Sequence, residues 1–275
     1  MLTRPIPASG EALPAIGLGT YISFDRRLTP QCEQDLREVL QLFFAAGGRV
    51  IDSSPMYGRA EAVIGKLLEG MAVPEDAFIA TKVYTRGRRA GVAEMEDSLR
   101  KMGQSSIALM QVHNLVDCDT HLETLREWKA RGVIRYIGVT HYTTSAFGEL
   151  ARYVKSGAVD FIQFPYSIID RQAEDFLLPL AADHGVATLI NRPFEQQALF
   201  RAVGRTPLPA WAAEFGCSTW GQVFLKFILS HPAVTCAIPA TGNPAHMADN
   251  LAAGIGRLPD GKARERMADD VGRLS

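Results

Sequence analysis

The sequence predicts a single α/β domain over residues 1–275, a (β/α)8 barrel of the TIM type, on three observations. Eight short apolar runs recur at nearly even spacing: AIGLGTY (15–21), RVIDSS (49–54), FIATKV (78–83), IALMQVH (107–113), IRYIGVT (134–140), VDFIQFPY (159–166), VATLINRP (186–193) and VTCAIPAT (234–241). The runs are apolar almost throughout, as parallel strands covered on both faces are. A segment of helical periodicity follows each run, and no linker-like break in composition divides the chain. Repeated strand–helix units of this length close into a barrel; a doubly wound open sheet is the alternative that the same alternation allows.

Taken in order, TRPIPASGEALP holds two short apolar pieces around Ser9-Gly10 and predicts a β-hairpin closing the barrel floor. The first seven strands are followed by PQCEQDLREVLQLFFAAGG, AEAVIGKLLEG, VAEMEDSLRKMG, THLETLREWKARG, TSAFGELARYVKSG, AEDFLLPLAADHG and WGQVFLKFILSH. Gly48, Gly103, Gly132, Gly157 and Gly185 stand at C-terminal cap positions, and Thr120 and Thr143 at N-cap positions. After the eighth strand, NPAHMADNLAAG places a proline in its first turn, and DGKARERMADDVGRLS predicts a last helix. The connection from Phe194 to about Ser218 is long for a strand-to-helix loop, and long loops at that end of a barrel often carry function.

Composition narrows the function classes. Hydrophobic residues make up 47% of the chain and charged residues 21%, which supplies a core and argues against disorder. Basic residues number 29 and acidic residues 30, so no bulk positive field is present to hold nucleic acid or an anionic membrane. No run approaches the ~20 apolar residues of a membrane helix, and the first residues lack a signal-peptide core. Cys32, Cys118, Cys217 and Cys236 lie far apart with no CxxC pair, against a structural zinc site or a disulfide framework. The expectation is a cytoplasmic protein acting on a small molecule, as a monomer or small homo-oligomer, without metal.

Side chains alternate along a strand, so Val50 and Asp52 share a face, as do Ala80 and Lys82, Gln111 and His113, and Phe161 and Gln163. Each pair ends in a polar group, and in a barrel those ends converge at one mouth. Tyr57 arrives from the loop just beyond Asp52. Singly, Asp52 is read as a cap or an arginine partner, Tyr57 as a packed aromatic, and His113 as a core histidine. A lysine closing an apolar strand is harder to explain by packing, because it loses hydration unless paired.

Together the four residues suit proton transfer at a carbonyl oxygen. A tyrosine has a pKa of about 10, and lowering it by ~3 units needs ~4 kcal/mol of preferential interaction with the phenolate. The Lys82 ammonium would supply that field, Asp52 would hold the ammonium, and His113 would orient the reacting oxygen. No side chain donates hydride, so reduction requires a nicotinamide cofactor.

Over nearly its whole length the chain resembles the aldo-keto reductase family: GGRVIDSSPMYGRAEAVIGKLL is similar to its second-strand motif, IATKV to its lysine strand and LMQVHN to its histidine strand. The resemblance implies that Asp52, Tyr57, Lys82 and His113 are the catalytic tetrad, with Tyr57 the general acid. It further implies cofactor contacts from Gly19, Thr20 and Tyr21 in GLGTY, from Asp52, from Thr140 and His141 in place of the frequent Ser-Asn, and from Gln163. Asn191 of INRPFEQQ stands where many relatives stack an aromatic on the nicotinamide, and Arg192, Pro193 and Phe194 after it are further cofactor contacts that the resemblance implies. Pro239, Ala240, Thr241, Gly242, His246 and Asn250 resemble the phosphate-binding segment that opens a helix. Ala240 and His246 replace the lysine and arginine often found there for the 2′-phosphate, a loss for which Arg192 is a candidate compensation. Ala108 replaces a frequent aspartate, and no long terminal loop follows the last helix, so an open substrate site lined by Tyr21, Phe24, Tyr57, His113 and His141 is expected.

The function so implied is an NAD(P)H-dependent oxidoreductase that reduces small aldehydes or ketones to alcohols, reversibly, with NADP(H) preferred and NAD(H) open. Two readings compete with it. One is a nicotinamide-binding redox sensor or regulatory subunit with little turnover; the other is a Schiff-base aldolase using Lys82, against which the adjacent Asp52 argues.

Overall fold

A computed structural model describes residues 1–274. Strands β1 (Thr3–Pro5) and β2 (Ala12–Pro14) form the antiparallel hairpin, with Thr3 opposite Pro14. The remaining strands are β3 (Leu18–Gly19), β4 (Val50–Asp52), β5 (Phe78–Val83), β6 (Ile107–His113), β7 (Ile134–Thr140), β8 (Phe161–Pro165), β9 (Ala187–Asn191) and β10 (Cys236–Ala237). They pair in parallel and in chain order. A doubly wound sheet would reorder them. The circle closes between its two ends: the Gly17 amide donates to the Ala237 carbonyl at 2.8 Å, and the Ala237 amide to the Ala15 carbonyl at 2.9 Å. At Gly19 a Cβ would stand 2.6 Å from the Ile238 carbonyl oxygen, so the seam needs glycine.

Around the barrel run α1 (Pro30–Ala45), α2 (Ala60–Leu68), α3 (Arg88–Met102), α4 (Cys118–Ala130), α5 (Phe147–Lys155), α6 (Gln172–Asp175), α7 (Leu177–Asp183), α8 (Ala198–Val203), α9 (Trp220–Leu229), α10 (Pro244–Ala252) and α11 (Gly261–Gly272). Inside the barrel, Val50, Phe78, Leu109, Tyr136, Phe161, Leu189, Cys236 and Ile238 form one buried cluster. Ile6 and Leu13 of the hairpin are buried in the same cluster and plug the floor. Two residues further along β4, β6 and β8, and four further along β5 past Ala80, the inward positions turn polar, at Asp52, Gln111, Gln163 and Lys82. The period-two pattern therefore builds an oily floor beneath a polar upper layer.

Local punctuation differs from expectation in places. Helix α1 stops at Ala45, and Gly47, not Gly48, takes the left-handed turn, with φ +87°. Gly48 serves packing instead, since a Cβ there would lie 2.3 Å from the Phe43 ring. Helix α4 starts before Thr120, with Asp117 at its N-cap. Helix α3 begins at Arg88, ahead of the apolar periodicity. The segment after β8 breaks at Phe176 into two helices, and the long connection after β9 folds into α8 and a 3-10 turn over 210–215.

Candidate active site

Asp52 is the hub of the polar layer. Its Oδ2 accepts from Lys82 Nζ at 2.6 Å, while its Oδ1 accepts from Gln111 Nε2 at 3.0 Å and from Gln163 Nε2 at 3.1 Å. Lys82 is wholly buried and also donates to the Ser53 carbonyl at 2.7 Å. The parallel register accounts for the meeting, because Lys82 pairs with Gln111 and Thr140 with Gln163 on neighbouring strands. The Tyr57 ring leans over the pair, with Lys82 Nζ 5.1 Å from its centroid. His113 meets the edge of that ring, at 5.7 Å between centroids.

The electrostatics follow from burial and pairing. Burial alone favours a neutral amine at Lys82, but the Asp52 carboxylate and the phenol outweigh it and hold the ammonium above the ordinary lysine range. Burial, with the Lys82 and His141 charges, pushes His113 down to about 2, so the imidazole is neutral. Its Nδ1 lies 2.8 Å from the Ser54 hydroxyl, which accepts from the Met56 amide at 3.2 Å. We assign the hydroxyl proton to Nδ1, which leaves Nε2 carrying the imidazole proton. Tyr57 departs from expectation: burial raises its pKa, and the pull of Lys82 is offset in part by Asp52. In the absence of ligand the phenol is thus fully protonated at neutral pH.

The other expected residues fall into three groups. Thr20 is buried and donates to the Asp52 carbonyl at 3.0 Å; Thr140 donates to Gln163 Oε1 at 3.0 Å; and Tyr21 stacks obliquely on Tyr57 at 5.0 Å. At the end of β9, Asn191 Nδ2 donates to the His141 carbonyl at 3.2 Å, while its Oδ1 is buried with no partner. His141 Nδ1 accepts from the Thr143 amide at 3.1 Å. Arg192 donates to the Tyr142 carbonyl at 3.2 Å and lies 3.6 Å from Glu195, so it is already engaged. Pro193 is buried, and Phe194 packs on Phe200 at 5.0 Å. Beyond β10, Pro239, Thr241 and Asn250 are buried, Ala240 and His246 exposed, and Gly242 crosses close to the Ser23 carbonyl. The Asn243 side chain accepts from the Ala245 amide at 2.8 Å and the His246 amide at 3.3 Å, capping α10 itself.

Phe24 does not line the mouth. It is 0% exposed in the core, because Ile22 turns left-handed at φ 61° and the Phe24 amide folds back onto the Thr20 carbonyl. Exposed Ile22, Met56 and Tyr84 occupy the rim instead, with the Tyr84 ring 5.3 Å from His113. Sequence reasoning also missed Ser54 and the hydrogen bond from Gln111. A signal existed: Ser54 and Tyr84 stand two residues beyond Asp52 and Lys82, one more step of the same alternation. Backbone strain marks the mouth as well. Non-glycine residues adopt positive φ at Asn114, Leu115 and Asp117 after β6 and at Arg192, Glu195, Gln196 and Gln197 after β9.

Fold and site together define a barrel with a buried ion pair, a phenol and an imidazole gathered at the C-terminal ends of its strands. A sequence model described as the Aldo/keto reductase family matches residues 15–265, and the chain belongs to that family. It is 27% identical over 200 residues to Aldo-keto reductase YhdN of Bacillus subtilis, covering 67% of this chain but only 60% of that protein. It is 26% identical over 245 residues to an NADH-specific methylglyoxal reductase of Escherichia coli, covering 76% of this chain and 72% of the relative. Among solved structures, an aldo/keto reductase from Klebsiella pneumoniae in complex with NADP and acetate superposes with a TM-score of 0.79 at 25% identity, covering 95% and 93% of the two chains. A thermostable aldo-keto reductase bound to the inhibitor epalrestat gives 0.80 at 25% identity over the full length of both.

Proposed function

We propose that the protein is an NAD(P)H-dependent oxidoreductase that reduces small aldehydes or ketones to alcohols, reversibly, with Tyr57 as proton donor. The observation that carries this reading is the buried Lys82–Asp52 pair beneath a protonated phenol and a neutral imidazole. The Nε2–H of His113 donates to the carbonyl oxygen and orients it. Tyr57 delivers its proton to that oxygen, and the Lys82 ammonium stabilises the phenolate left behind. Asp52, fixed by Gln111 and Gln163, keeps the ammonium charged and in place. The same charge disfavours the Schiff-base reading, which needs a neutral lysine.

A bound nicotinamide supplies the hydride. The residues present fit its carboxamide: the unpartnered Asn191 Oδ1 is an acceptor for the amide N–H, and His141 stands beside it. NADP(H), bound by the Klebsiella relative, is the first candidate. NAD(H), used by the Escherichia coli relative, is favoured by the absence of any lysine or arginine between Ile238 and Asn250.

The test is the Tyr57→Phe variant, with NADPH and NADH offered separately against reactive aldehydes. Turnover should fall ~10²- to 10⁴-fold while cofactor Kd, read by quenching of protein fluorescence, stays within about twofold. Turnover that survives the substitution would sink the role of Tyr57. Tight cofactor retention with negligible turnover in the unaltered protein would favour the sensor reading.

A further inference from the structure

Three neighbouring loops at the mouth supply its aromatic rings: Tyr57 after β4 and Tyr84 after β5 stand against His113, and Tyr21 after β3 packs on Tyr57. Those same loops carry four exposed arginines, Arg26, Arg27, Arg59 and Arg86, against one aspartate, Asp25. Asp25 is committed elsewhere, accepting from the Arg59 backbone amide at 2.9 Å and so stitching the first two loops together. Among the described residues, none of the four guanidinium groups has an ion pair or side-chain hydrogen bond. Arg86 feels the field of Asp117, whose carboxylate already accepts from the Gly87 amide at 2.6 Å.

Single exposed arginines are ordinary on any surface, and segregation is what sets these apart. On the opposite side of the mouth Arg171 is paired with Glu174 and Arg192 with Glu195, and the loop from Ile238 to Asn243 carries no charge; the long connection after β9 carries exposed Arg201, which donates to the Gln196 carbonyl, and exposed Arg205. Just outside the three loops Arg88 is paired with Glu127. Arginines without an ion pair are therefore densest on the side of the aromatic rings, four on three short loops against two in the long connection after β9, in a chain whose formal net charge is -1. A free guanidinium keeps the planar donor fork that matches a carboxylate, and charge clustered at a cleft concentrates ligands of opposite sign.

Resting on the reductase reading, we propose that the preferred carbonyl substrate is an anion: an aldehyde or ketone with a flat or apolar body among Tyr21, Tyr57 and Tyr84 and a carboxylate held by Arg26, Arg27, Arg59 and Arg86. The experiment compares benzaldehyde with 4-carboxybenzaldehyde, whose para carboxylate scarcely alters the reactivity of the carbonyl. At low ionic strength kcat/KM should favour the carboxylate by about tenfold or more, chiefly through KM, and about 0.5 M salt should shrink the preference as screening shortens the reach of the arginines. Arg59→Ser and Arg86→Ser, at exposed positions, should each move the ratio of the two kcat/KM values toward one, and Arg→Lys at the same sites should restore part of it. Equal kcat/KM for the two aldehydes, or a preference untouched by both serine variants, overturns the proposal and leaves the reductase reading standing. Turnover of neither aldehyde overturns the reductase reading and this proposal with it.

Discussion

Removing the charge of Asp52 isolates the interaction on which the site is built. Lys82 is 0% exposed and is held by one carboxylate oxygen and one backbone carbonyl. Asp52→Asn keeps the shape and leaves a buried ammonium without its counter-charge, a change that costs about 3–5 kcal/mol of folding stability. The pH dependence gives a second readout. In the parent, the Lys82 pKa lies above its unfolded value of about 10.4, so its contribution is fully present below that pH and fades only as pH rises through the folded value. From about pH 6 to about pH 9 this group should give the parent no slope. In the variant burial governs, the folded state binds fewer protons than the unfolded, and stability should climb with pH by at most ~1.4 kcal/mol per unit. Urea unfolding across that pH range measures both effects. Adding Lys82→Met to the variant should recover most of the loss, because no unpaired charge remains. A loss below about 1 kcal/mol, with the same pH slope as the parent and no recovery in the double variant, would refute the reasoning.

Two further outcomes are expected. With His113 pushed down to about 2 and the Tyr57 phenol raised by burial, kcat/KM for reduction should be flat from about pH 5.5 to about pH 9 and fall only above that, as the phenol loses its proton; a break near pH 6.5 that vanishes in His113→Gln would mean the imidazole is charged. Gly65 lies inside α2, where Ala normally gains about 1 kcal/mol over Gly, but here a Cβ would stand 2.0 Å from the Lys101 carbonyl oxygen. Gly65→Ala should therefore lose about 1–3 kcal/mol, and a raised Tm would contradict the close approach of α2 to α3.

The strands and their polar ends were legible because both follow a period of two. Asp52, Lys82 and His113 stand at the last inward positions of apolar runs, and the geometry brings them together with Tyr57. Ser54 and Tyr84 were overlooked because the alternation was followed only to the strand ends. Phe24 was placed at the mouth because a loop has no period, and the left-handed turn at Ile22 that buries it carries no glycine to announce it. That Asp52 accepts from Gln111 and Gln163 depends on strand register, which no single strand encodes. The elevated phenol pKa has a different source: burial of the ring, which a sequence does not display, outweighs the Lys82 field, and the Asp52 carboxylate cancels part of that field. Helix α3 begins with two arginines and no acidic residue in its first turn, the reverse of usual helix-start chemistry, so its first residues read as loop.

The hairpin plug at the floor has a consequence for traffic. With Ile6 and Leu13 stoppering the lower end, the barrel is a cup without a drain, and no file of water can climb to Tyr57 from beneath. In the reaction proposed above, a phenol that has given up its proton has to receive the replacement through the same opening by which the alcohol departs. Resetting the acid is thereby tied to clearing the product.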